Sequence, residues 1–201
     1  MDVEFYLVAP PGAEAAQFLP LLKDAFAAAP VAALLLPREG HSDNGYKSFA
    51  KAVIPVAQDA GVAVLIEGDP GLVRVLGADG LHVAGDVAAV KAAITALKPQ
   101  FIVGAAGIAS RHDAMIKGEL GPDYVFFGPS HGPRDPEQRE MARWWAEVMT
   151  VPAVLSDTAA TAESASSDGC EFISLGESLW SAPEGAGARL KAIAGALKVA
   201  A

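Results

Sequence analysis

Ser130, His131 and Arg134 stand close together on Asp123–Asp135, DYVFFGPSHGPRD. An imidazole changes charge near neutral pH and a guanidinium keeps its charge. Side by side on a glycine-flanked loop, they could hold an anion or act on a substrate; a plain surface loop is the alternative. Tyr124 to Phe127 before them read as a buried strand, and Asp135-Pro136 opens a helix with Asp as N-cap and Pro in the first helical position. Gln138 falls where a capping-box partner would sit.

That strand–loop–helix unit recurs along the chain. Apolar runs at Glu4–Ala9, Val31–Leu36, Val62–Ile66, Asp79–Val83, Phe101–Gly104, Pro152–Leu155 and Phe172–Leu175 predict seven more strands. Helical patterns between them include Ala15, Phe18, Leu19, Leu22 and Phe26, about Tyr46–Ala60 with Pro55 as a kink or late start, one capped by Ser110, and about Gly187–Val199. Continuous apolar runs, instead of alternating ones, suit a parallel sheet covered on both faces. Eight strands alternating with eight helical patterns predict a single small (β/α)8 TIM barrel of the α/β class, one domain over 1–201. A doubly wound open sheet is the alternative. Pro10-Pro11-Gly12 after the first strand gives no GxGxxG to support a Rossmann reading.

A barrel places its chemistry at the carboxyl ends of its strands. The ligand-binding candidates there are Arg38, Glu67, Ser130, His131, Arg134, Ser156 and Ser178, with Glu39, His41, Asp157 and Glu177 beside them. Asp69 and Asp86 are the metal candidates, and each suits a helix cap as well. His82 within a strand reads as packing, His112 as solvated, Cys170 as inert and Trp144-Trp145 as outer helix packing. Asp157 and Glu177 follow the last two strands, where small barrels often bind phosphate through backbone N–H groups. A carboxylate facing a phosphate there is repulsive by roughly 1–4 kcal/mol.

Composition limits the partners. The chain has 201 residues, 52% of them hydrophobic and 19% charged, which suits a large core. A net charge of -9 without a basic stripe argues against nucleic acid. No apolar run approaches the roughly 18 residues of a membrane span. The acidic start Met1-Asp2-Val3-Glu4 is unlike a signal peptide. One cysteine excludes an internal disulfide. A cytoplasmic protein with a small-molecule ligand is expected.

GADGLHVAGD (Gly77 to Asp86), DYVFFGP with its short loop, RWWAEVMTVPAV (Arg143 to Val154) and LWSAPEG (Leu179 to Gly185) resemble thiamine phosphate synthases and their TenI-type relatives, especially alphaproteobacterial members. The likeness runs over almost the whole chain. It implies a (β/α)8 barrel, a homodimer, and a transferase of thiamine biosynthesis. That enzyme joins hydroxymethylpyrimidine diphosphate to thiazole phosphate with Mg²⁺ and releases pyrophosphate; the TenI-type branch tautomerises an aminothiazole. The loops depart from the family pattern. Leu35, Pro37 and Glu39 stand where it has Q-x-R-x-K, with Arg38 one position out of register. Glu67-Gly68 replaces Asn-Asp, and Val87 takes the second magnesium position, with Asp86 one short. Ala106 replaces the Ser or Thr after strand five, and Ile108 the TenI-type histidine. Gly132 to Pro136 replaces P-T-x-T-K, and Asp157-Thr158 the glycine pair. These departures predict synthase activity that is absent or very weak. The remaining expectations are a diverged enzyme built on His131 and Arg134, or a non-catalytic ligand-binding paralogue. Mg²⁺ is expected only where the family chemistry survives.

Overall fold

Eight short apolar runs become eight parallel strands of one closed barrel. A computed structural model describes residues 3–197. The strands are β1 Glu4–Val8, β2 Ala33–Leu36, β3 Ala63–Ile66, β4 Gly80–Val83, β5 Ile102–Ala105, β6 Tyr124–Phe127, β7 Ala153–Ser156 and β8 Phe172–Leu175. They pair in chain order, and β8 closes on β1 through Glu4 opposite Phe172. Around them lie α1 Ala15–Ala28, α2 Asp43–Asp59, α3 Gly71–Leu76, α4 Val87–Leu97, α5 Arg111–Glu119, α6 Pro136–Val148, α7 Glu177–Trp180 and α8 Ala186–Leu197. The predicted barrel is therefore the fold, and the open-sheet alternative falls.

Every second residue of a strand faces the same side. Phe5, Leu7, Leu34, Leu36, Val64 and Ile66 point outward and pack with Phe18, Leu22, Tyr46 and Val53 of the helices. Tyr6, Val8, Leu35, Leu65, Tyr124, Phe126 and Val154 point inward and fill the barrel. Both faces are apolar, which explains the unbroken hydrophobic runs. Gly104 matters for one approach: a Cβ there would overlap the Tyr124 ring.

The structure corrects three local expectations. No helix joins β7 to β8; residues 157–171 are turns, and the short α7 follows β8. Helix α2 starts at Asp43, capped by Ser42 Oγ accepting from Gly45 N, and runs through Pro55. Gln138 makes no capping box: its Oε1 accepts from Gly128 N at 3.2 Å and its Nε2 donates to Ile108 O at 2.6 Å. It thereby ties together the loops after β5 and β6. Val199, the expected end of the last helix, lies outside the described residues. Asp135 does cap α6, accepting from Glu137 N and Gln138 N, and Ser110 caps α5. Trp145 packs on Phe127, with ring centroids 5.8 Å apart, and donates to Val151 O. Among the described residues, no helix is long and apolar enough to cross a membrane.

Candidate active site at the carboxyl ends of the strands

The loop after β6 is shaped by Gly128 and Gly132, at φ 99° and 88°, values that L side chains rarely adopt. Ser156 at the end of β7 pins it by donating its hydroxyl to Pro129 O. The loop thus presents Ser130 and His131. Ser130 Oγ lies 3.1 Å from His131 Nδ1, and His131 Nε2 lies 2.7 Å from Glu39 Oε2 in the loop after β2. Beside them a cavity of about 540 Å³ is lined by Val8, Pro10, Pro11, Leu21, Glu177 and Trp180 as well as Ser130 and His131. Trp180 is a fixed wall: its Nε1 donates to Val8 O at 2.6 Å and its ring meets Phe18 edge-on at 4.9 Å.

Glu67 continues the inward-facing series Ala63, Leu65 beyond β3. Its Oε2 accepts from Arg38 N at 2.9 Å. Burial raises its carboxyl above the usual range. The Arg38 amide and the nearby His131 oppose that rise, and Glu39 adds to it. Tyr46 fixes this corner, donating to Leu36 O at 2.7 Å and accepting from Glu67 N at 3.0 Å.

Inside the barrel, Tyr124 OH lies 2.9 Å from both Tyr6 OH and His82 Nδ1. Burial lowers the His82 imidazole to about 4 and raises both phenols. The trio is therefore a neutral, hydrogen-bonded plug. His82 packs in the interior, as its position within a strand suggested.

The remaining candidates are engaged within the chain. The Arg38 guanidinium pairs with Asp43. Arg134 donates to Asp157 Oδ1 at 2.5 Å, Ala159 O at 3.0 Å and Ser164 Oγ at 2.9 Å. Ser178 Oγ donates to Ala160 O at 3.1 Å. Asp69 Oδ1 accepts from Gly71 N at 2.7 Å, and Asp86 Oδ1 accepts from Ala89 N at 2.8 Å as the N-cap of α4. Among the described residues, no three His, Cys, Asp or Glu side chains gather in one cluster. Asp69 and Asp86, the carboxylates offered for magnesium, are thus both engaged at helix starts. Cys170 is buried, and burial with Glu171 and Asp168 pushes its thiol up to about 12, away from reactivity.

The structure brings together Ser130, His131 and, through Glu39 and the Arg38 amide, Glu67. Arg134, Asp69 and Asp86 are bonded elsewhere, to Asp157, Gly71 N and Ala89 N. Sequence reading missed Arg139, which bonds Asp168 Oδ2 at 2.5 Å and pairs with Asp157 Oδ2 at 3.4 Å. It also missed Lys117, whose buried ammonium reaches Asp113, Ala106 O and Gly107 O. The Asp113–Lys117 spacing on a helix was the available signal for the second; Arg139 gave none.

The relatives of the chain agree with its architecture. The model of a family described as thiamine monophosphate synthase matches residues 5–179. A thiamine-phosphate synthase from Hyphomonas neptunium is 33% identical over 199 residues, covering 93% of this chain and 90% of its own. One from Rhodospirillum centenum is 31% identical over 191 residues, 92% of each chain. In structure, a thiamine phosphate pyrophosphorylase from Pyrococcus furiosus superposes with a TM-score of 0.78 at 15% identity, covering 98% of this chain and 96% of that one. With a barrel closed in this order and relatives matched along nearly their full length, the chain belongs to the thiamine monophosphate synthase family.

Proposed function

We propose that this family member has lost most or all of the synthase reaction and uses the Ser130–His131 pocket for a small molecule of little negative charge. The supporting observation is the engagement of the charged groups at the carboxyl face. Arg38 faces Asp43, Arg134 faces Asp157, and Asp86 caps α4. Transfer from a diphosphate builds charge on the leaving group, which cations or a metal must stabilise. Each such group removed costs about 2.7–4 kcal/mol of transition-state stabilisation. Glu39 and Glu177 at the pocket further disfavour a polyanion.

One observation favours the opposite reading, in which synthase activity remains. The Arg38–Asp43 pair is exposed, and such pairs open at a cost of about 0–1 kcal/mol, so Arg38 could turn to a phosphate. Pyrophosphate release from hydroxymethylpyrimidine diphosphate and thiazole phosphate, with Mg²⁺ present, separates the two. The proposal expects release at the enzyme-free rate. Release lost on Arg38→Ala would establish the opposite reading.

A further inference from the structure

We propose that Ser130, His131 and Glu39 form a hydrolytic relay in which Ser130 is the nucleophile toward small uncharged esters with an apolar acyl group. The inference rests on the pocket reading above. His131 is held at both ring nitrogens, 3.1 Å from Ser130 Oγ and 2.7 Å from Glu39 Oε2. An ionised carboxylate only accepts, so Nε2 carries the proton. In the neutral ring Nδ1 is then the acceptor, and the Ser130 hydroxyl donates to it. The two contacts thus select the tautomer that a serine-activating base needs, with the ring nitrogens exchanged relative to the commoner order. Such constellations are recognised by geometry and roles, not by chain order. The His131 side chain is 38% exposed, so substrate can reach it.

The cavity beside Ser130 sets the substrate class. Val8, Pro10, Leu21 and Trp180 offer an apolar surface to an acyl chain, while Glu177 at the same wall repels anions. In the first half-reaction Ser130 Oγ bonds the acyl carbon and its proton passes to His131 Nδ1. The ester C–O bond breaks, and the leaving alkoxide takes that proton as alcohol. In the second, water attacks the acyl-serine and gives its proton to Nδ1. The acid leaves, and Ser130 regains its hydrogen. Glu39 acts through His131 and is a positioning residue.

The test exposes the full chain to a fluorophosphonate probe and, separately, to p-nitrophenyl butyrate. The relay expects a covalent adduct on Ser130 by mass spectrometry and nitrophenolate release above the buffer rate. Ser130→Ala should remove both, and His131→Ala should lower both at least about 100-fold. Glu39→Gln should lower turnover and Glu39→Asp should recover part of it, which a merely structural carboxylate would not do. Absence of the adduct from protein with an intact circular dichroism melt, or hydrolysis unchanged in Ser130→Ala, overturns the relay. That failure leaves the pocket reading standing, whereas synthase turnover would remove the pocket reading itself.

Discussion

Asp157 Oδ1 lies 2.5 Å from Arg134 Nε, and Asp157 is completely buried. Arg134 follows the β6 loop and Asp157 follows β7, so the pair closes the space between two adjacent βα loops. Arg139 reaches the other carboxylate oxygen and, through Asp168 and Ser166 O, the far end of the same segment. A stretch with no helix of its own is held to the barrel by two arginines from the loop and helix before it.

Asp157→Ala should therefore destabilise the protein strongly. Removing one partner of a buried ion pair costs about 3–5 kcal/mol, and the partly exposed arginines place this case near the lower value. Urea unfolding checks the size, and limited proteolysis should show new cuts within 157–170. A variant as stable and as protease-resistant as the parent would mean that the arginines do not hold the segment.

Stability should fall on acidification through a window set by His82. Its folded value, about 4, lies below the ordinary value near 6.5. The unfolded chain therefore binds more protons between them, and stability is lost as pH drops through that range. At 1.36 kcal/mol per pH unit the loss is on the order of 3 kcal/mol. Glu67 acts with the opposite sign, because its folded carboxyl is raised and protonates first. His82→Gln isolates the histidine: its denaturation midpoint should be flatter with pH than the parent's. Equal slopes would place the imidazole in contact with water.

Tyr46→Phe should cost about 1–3 kcal/mol, since it leaves Leu36 O and Glu67 N without the hydroxyl that joins them. The Glu67 carboxylate should lose its fixed position as well. Thermal unfolding reads the first effect, and a change in the pH dependence of any activity at the pocket reads the second. A parent-like melt would show that water replaces the hydroxyl.

The barrel was legible because its physics is local. Each strand is a short apolar run buried on both sides, and Ser110, Asp135 and Pro136 mark helix starts by chemistry that needs no tertiary context. The turns of 157–171 were not legible as a replacement for a helix, because Arg134 and Arg139 stabilise them from outside the segment. The same holds for the site. Ser130 and His131 could be found, since glycines flank them. The direction of Arg134 could not, because it depends on Asp157. Glu67 could have been placed by counting alternate residues from Ala63, which marks it as inward-facing. The Tyr6–His82–Tyr124 contacts join three strands distant in sequence and leave no pattern within any one of them.

The most direct measurement is calorimetric titration of the protein with hydroxymethylpyrimidine diphosphate, with and without Mg²⁺. Engaged arginines and capping carboxylates predict no binding heat in either condition from protein shown to be folded. Micromolar binding that requires Mg²⁺ would contradict that reading and mean that Glu67, Asp69 and Asp86 rearrange to rebuild the family's site.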